Sequence, residues 1–286
     1  DVLARPPLEL SPRLQHPLIP PLRKKARLEV AHLSFSALKK WNDCPFSYKL
    51  TYVDGIRLFA GNKYTAFGTA IHNVCEQKLL NESVHEVEYF ESCFKEEIGK
   101  LPAEEKEKVD DGEYQSFLTQ GRTLAPLAIP ALREHFGPFE IVSTEEQLYE
   151  PIDDSEYLFK GFIDLVIKTE DGVYHIIDWK SCSWGWNHRK KTDPMITYQL
   201  TLYKKYFAKK HSIELSEIET HFGLLKRTAK KDQVEIFQVS SGERKLINAS
   251  SLLSKAIKNI DSNNFIKNKL SCARCEFYNT VECPRI

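Results

Sequence analysis

The chain reads as an α/β protein, a mixed central sheet flanked by helices, and three observations lead there. First, residues 140–150, 157–168 and 173–180 form three β-rich runs, rich in Val, Ile, Phe and Tyr, with turn chemistry between them. Second, residues 196–210 follow as a helix, started by Asp193-Pro194, a good N-cap and first-turn pair. Third, two more strands, 219–227 and 233–239, lead into a helix near 243–260. With two helices at the front the order is ααβββαββα, a pattern for one mixed sheet with helical layers.

Taken in order, residues 1–30 are proline-rich and carry Arg23-Lys-Lys-Ala-Arg27, which predicts a flexible arm suited to tethering a protein partner. Ser34 and Ser36 offer caps for a helix over Ala37–Asn42, which runs into Cys44-Pro45. Phe67–Leu80 reads as a second helix, apolar at Phe67, Ile71, Val74 and Leu79, with His72 beside the stripe. Residues 84–136 are mostly helical and charged, and are expected to be an insertion into a domain spanning 31–286. Thr169-Glu-Asp-Gly172 supplies Asp-Gly turn chemistry, so the second and third strands should form a hairpin.

Composition narrows the function classes. Forty basic and forty acidic residues cancel, so only local clustering can speak for nucleic acid. Seven cysteines are an odd count and too sparse for a disulfide scaffold, which favours thiols or metal ligands. No apolar run approaches a membrane span and no secretory signal pattern opens the chain, so an intracellular, cytoplasmic protein is expected.

Chemistry concentrates in Gly161-Phe-Ile-Asp164 and Asp178-Trp-Lys180. Asp164 and Asp178 sit inside hydrophobic runs, where a charge is costly unless paired or metal-bound. Period-two alternation puts Asp178 and Lys180 on one face and Trp179 on the other. Two acids and a lysine at one rim suit Mg²⁺ or Mn²⁺ held against a phosphate. A structural Asp178–Lys180 salt bridge is the plainer alternative. Just downstream, Trp184, Trp186, His188, Arg189, Lys190 and Lys191 interleave indoles with basic groups, a combination suited to base stacking and phosphate neutralisation on single-stranded DNA. Lys226-Arg227 and Lys230-Lys231 form a second basic group, equally readable as a solvated turn. Cys272-x-x-Cys275 with Cys283 has spacing for zinc or for an iron–sulfur cubane, whereas Cys75, Cys93 and Cys182 lack partners at ligand spacing.

These motifs together resemble the PD-(D/E)xK nuclease superfamily, and within it the RecB-like exonuclease branch with AddB-type and CRISPR-associated iron–sulfur members. Gly161-x-x-Asp164 and Asp178-Trp-Lys180 match its catalytic signature, Gly68-Thr-Ala-Ile-His72 its helical Gly-x-x-x-His motif, and Tyr198-Gln199-Leu200 its Tyr-Gln-Leu motif. The resemblance covers about residues 33–286. It implies a restriction-endonuclease-like fold and a metal-dependent DNA exonuclease of recombination, repair or related DNA processing, bacterial or phage-encoded. It implies metal ligation by Asp164, Asp178, His72 and the Trp179 main-chain carbonyl. A further acid from the first core strand would be Glu145 or Glu146, only one of which can reach the site, and the spacing to Leu148 slightly favours Glu145. Lys180 would assist the attack and Gln199 would touch the lysine, the water or the DNA backbone. It also implies a [4Fe–4S] cluster on Cys44, Cys272, Cys275 and Cys283 joining the two ends of the domain, with Zn²⁺ as the lesser alternative; the Cys275–Cys283 spacing is longer than the family's usual one. Rival readings are a catalytically quiet DNA-binding module and a structure- or sequence-specific endonuclease.

Overall fold

A computed structural model describes residues 31–284, and the basic, proline-rich segment 1–30 read above as an arm lies outside the described residues. Strand β1 (His32–Ser34) passes directly into helix α1 (Phe35–Asp43), because the Ser34 hydroxyl accepts from the Ala37 N–H at 3.2 Å and caps it. Pro45 then opens α2 (Pro45–Tyr48). Helix α3 (Lys63–Leu80) begins earlier than its apolar stripe suggests. Asn62 caps it, and Thr65 returns a bond to the Asn62 N–H, so the first turn is fixed by capping rather than burial.

Helices α4 (Glu86–Lys100), α5 (Ala103–Glu107), α6 (Asp111–Leu124) and α7 (Ala128–Phe136) follow. They form a helical layer packed on the core: Phe90, Phe94 and Phe117 pack on Phe67 of α3. Truncating one such buried phenylalanine to alanine costs about 3–5 kcal/mol, so this layer cannot be removed without the core.

Strands β2 (Phe139–Pro151), β3 (Leu158–Thr169) and β4 (Tyr174–Cys182) form an antiparallel set, with Gly172 at positive φ closing the β3–β4 turn. A short helix α8 (His188–Thr192) leads to α9 (Pro194–His211), which carries the chain back to β5 (Ile218–Lys226), parallel to β4; β6 (Val234–Gln238) adds antiparallel, and α10 (Glu243–Asp261) follows. The result is one six-stranded mixed sheet among the described residues. Helices α1, α9 and α10 cover one face, through Leu38, Leu200, Phe207 and Leu253 on Phe159, Ile176 and Phe222. Helices α3, α4, α6 and α7 cover the other, on Leu165, Ile177 and Trp179. No helix among the described residues is long and apolar enough to cross a membrane.

One topological feature positions everything below. β2 runs along the whole of one edge of β3, so β1 and β4 must share the other: β1 pairs with Leu158–Lys160 and β4 with Leu165–Lys168. Gly161 to Asp164 therefore face a gap where β4 leaves β3. The side-chain alternation also slips there, since Phe159 and Ile163 enter one core while Leu165 and Ile167 enter the other.

Candidate active site

Asp164 lies at the point of that slip. Its Oδ2 accepts from the Trp179 N–H at 2.7 Å, standing in for the ladder partner that β4 loses as it diverges. Within a strand the N–H and C=O of one residue point to the same side, so the Trp179 carbonyl is aimed toward the same gap. The Trp179 indole lies on the opposite side of the backbone, over Gly223 of β5, where an added Cβ would come within 2.3 Å of the ring. Glycine at 223 is thus what lets β4 hold this register.

Asp178 is 1% exposed and touches Lys180 Nζ through Oδ2 at 2.5 Å. That contact pairs charges but lacks hydrogen-bond alignment, and Oδ2 has no hydrogen-bond partner among the described residues. The other oxygen, Oδ1, accepts from Gln199 Nε2 at 2.9 Å, and Gln199 in turn reaches the Tyr203 hydroxyl at 3.1 Å. Residues 199 and 203 are one turn apart on α9, so the glutamine faces the sheet and not solvent.

Helix α3 brings His72, whose Nδ1 is 3.6 Å from Asp164 Oδ2. Gly68 lies on the same face one turn earlier, where a Cβ would meet Ser181 Oγ at 3.1 Å, so the Gly-x-x-x-His spacing brings the helix close to the end of β4. Burial and then the Lys180 charge lower the His72 pKa to about 4, leaving a neutral imidazole with a lone pair for a ligand at neutral pH. Asp164 is pushed well above the usual carboxylate range, first by burial and then by Asp178. Burial likewise raises Asp178. Lys180 is raised, because the attraction of Asp178 and Asp164 outweighs its desolvation, and it stays an ammonium.

The two glutamates of β2 separate cleanly. Glu146 is buried and held by Ser143, by Lys210 at 2.8 Å and by His211 at 2.5 Å, on the far side from the gap. Glu145, at the register position opposite Asp164, has φ 46, a left-handed kink inside a strand. Burial and then the charges of Glu76 and Asp178 raise its pKa, which places it in the acidic group. Glu76 was missed by sequence reasoning. The signal was available, since it lies four residues after His72 on the same helix.

Asp164 and Asp178 are thus set against one lysine, with Glu145 near enough for its charge to act on Asp164. Two carboxylates, Asp178 fully buried, facing a single lysine fit a hard divalent cation. A family model for the PD-(D/E)XK nuclease superfamily matches residues 32–280, across the whole of this arrangement. The chain belongs to the PD-(D/E)XK nuclease superfamily.

Among solved structures, a crystallised Eubacterium rectale protein named "Putative exonuclease" aligns over 89% of this nuclease-superfamily chain and 90% of its own, at 10% identity and a TM-score of 0.59. The match shows a shared fold. A second, SSO0001, aligns over 73% of this chain and 92% of its own at 15% identity, and its TM-score of 0.35 carries no argument. No curated protein sequence matches.

In this superfamily member the basic–aromatic loop divides. Trp184 is 68% exposed, and His188, Arg189 and Lys190 are exposed on α8. Trp186 instead packs on Phe222, with Lys190 Nζ 4.6 Å over its ring, and Lys191 forms a partly exposed ion pair with Glu235. Arg227 is also internal: its guanidinium lies over Tyr64, Phe67 and Phe117 and bonds Gln120 and Ser183. Arginine's flat, weakly hydrated group suits that aromatic setting.

The cysteines fall into two groups as well. Cys44, Cys272, Cys275 and Cys283 line one cavity of about 220 Å³ between the α1–α2 junction and the C-terminal segment. All seven cysteines are free thiols. No three of these cavity sulfurs lie within 4.8 Å of one another, so no closed cysteine cluster is evident among the described residues.

Proposed function

We propose that the protein is a Mg²⁺- or Mn²⁺-dependent exonuclease hydrolysing phosphodiester bonds of DNA, on single strands or at ends. The observation that carries this reading is the convergence of Asp164 and the buried Asp178 on Lys180 where β3 and β4 part. Asp164, Asp178 and the Trp179 carbonyl would hold the ion, with Glu145 and neutral His72 completing the surround. When bound, the metal lowers the pKa of a coordinated water and offsets charge on the scissile phosphate.

The chain's own groups do the rest. Lys180 keeps its proton, so it acts as a fixed cation and donor toward the charge developing on phosphorus and not as a base. Gln199 fixes Asp178 through Oδ1 and leaves Oδ2 facing the site. Trp184 can stack a base while His188, Arg189 and Lys190 neutralise the backbone beside it.

The test is digestion of end-labelled linear single-stranded DNA beside a closed circle, with either metal and with Asp178→Ala. Loss of the linear strand alone, abolished by the substitution, is the expected result. Cleavage of the circle would make the protein an endonuclease. No cleavage of either would make it a binding module.

The same reading assigns the four-cysteine cavity a [4Fe–4S] cluster. What supports it is that the four cysteines line one cavity and that the Asn268 N–H points at Cys44 Sγ at 3.4 Å, the kind of bond that tunes cluster thiolates. Iron and sulfide analysis of anaerobically purified protein should return about four of each per chain for such a cluster. Stoichiometric zinc instead would remove the assignment.

A further inference from the structure

We propose that His175, Glu219 and His221 form a binding site for a divalent transition-metal ion of the zinc type, separate from the acidic site. His175, the second residue of β4, pairs in register with Glu219 of the parallel strand β5; His221 follows two residues on, on the same face. Asp178 and Lys180 have the opposite parity on β4 and point to the other face of the sheet.

The geometry is that of a coordination triangle. His175 Nδ1 and His221 Nε2 are 3.1 Å apart, and Glu219 Oε2 lies 3.5 Å from the first and 3.6 Å from the second. A tetrahedral ion with bonds of about 2.0–2.2 Å holds its ligand atoms about 3.3–3.6 Å apart. Among the described residues this is the one trio of His, Cys, Asp and Glu side chains converging so closely.

Proton accounting separates a metal site from a plain hydrogen-bond cluster. The Thr169 hydroxyl is 2.5 Å from Asp171 Oδ1, an acceptor only, so its proton goes there. Its lone pair then accepts from His175 Nε2 at 3.0 Å, which leaves Nδ1 bare and aimed into the triangle. Glu219 brings a carboxylate. His221 Nε2 can bring one proton, and one proton cannot lie on the line to both acceptors. One lone pair at the centre of the triangle is therefore left without a proton from these three side chains, which leaves room for a cation; ligation through Nε2 puts the His221 proton on Nδ1, which has no hydrogen-bond partner among the described residues.

The surroundings strengthen the case. His175 and His221 are 7% and 3% exposed, and Phe136 of α7 packs on both rings at 4.7 and 5.0 Å between centroids. Burial lowers the pKa of both, His221 to about 3, so both imidazoles are neutral donors to metal at ordinary pH. Two imidazoles and one carboxylate are a borderline-soft set, better matched to Zn²⁺ than to Mg²⁺. Solvent reaches the triangle past Glu219, whose side chain is 41% exposed, and can supply the fourth ligand. An ion here would pin the first residues of β4 and β5 upstream of Asp178.

The test titrates as-isolated full-length protein with Zn²⁺ and follows the ¹⁵N resonances of the His175 and His221 rings, beside Glu219→Gln. That substitution falls on a partly exposed side chain and preserves its volume. The expected result is a shift of both imidazole resonances on binding and at least tenfold weaker binding of that equivalent in the variant. Because the cysteines and the acidic site could also take zinc, the ring nitrogens decide. Saturating zinc that leaves both resonances unmoved, or affinity at this site unchanged in Glu219→Gln, would overturn the proposal.

Discussion

At Asp164, function and stability pull in opposite directions. Its pKa is raised by burial and by Asp178, so folding favours the protonated acid over the carboxylate that a metal needs. A raised acid contributes stability that is present below its ordinary value near 3.8 and is lost as pH rises through the folded value. Metal-free Asp164→Asn, which keeps an acceptor for the Trp179 N–H, should therefore melt above the wild type at pH 7, by about 2–4 °C for each kcal/mol relieved. The two curves should meet near pH 3. Mn²⁺ should raise the wild-type melting temperature increasingly with pH and leave the variant unmoved. Thermal scans from pH 3 to 8 check both; a variant less stable than wild type at pH 7 would contradict the account.

Strand β2 and helix α9 show how one element sorts neighbouring glutamates into different work. Glu146 ties the strand to the end of α9 through Lys210 and His211. Those partners are 34% and 35% exposed, so water offsets part of the loss on breaking the tie. Glu146→Gln should cost about 1–3 kcal/mol in denaturant melts and leave turnover near wild type. Glu145→Gln should do the reverse: nuclease turnover falls at least tenfold at limiting metal while the unfolding midpoint holds or rises. Finding the loss of turnover in Glu146→Gln instead would exchange their roles.

Over the whole molecule, the C-terminal segment returns to the first helix. Asn268 bonds both Cys44 Sγ and the Asp43 carbonyl, Lys40 pairs with Glu276, and Phe277 is buried. These contacts join positions more than two hundred residues apart, so a cluster bridging them closes a very long loop. Cys272→Ser should lose the iron, and limited proteolysis should then clip the tail beyond α10 while the sheet core survives. Equal protease resistance with and without iron would reduce the cavity to a thiol-lined pocket.

What the sequence determined by itself was local. Period-two and helical patterning, the Asp171-Gly172 turn and the Asp193-Pro194 cap depend on neighbours a few residues apart, and the longer strands and helices lie close to where those signals put them. The short elements β1, α2 and α8 escaped, being too short to carry a period. The spacing of Asp164, Asp178 and Lys180 was legible for the same reason. Tertiary structure alone decided what depends on elements meeting: that Glu145 and not Glu146 joins the acidic group, that Trp186 packs inward while Trp184 stays exposed, and that Gln199 bonds Asp178. It alone brought His175 against Glu219 and His221. A strand's sequence says which residues share a face, but the slip of β3 at Asp164 and the pairing of β4 with β5 settle which side chains meet there, because both arise from contacts between segments far apart in the chain.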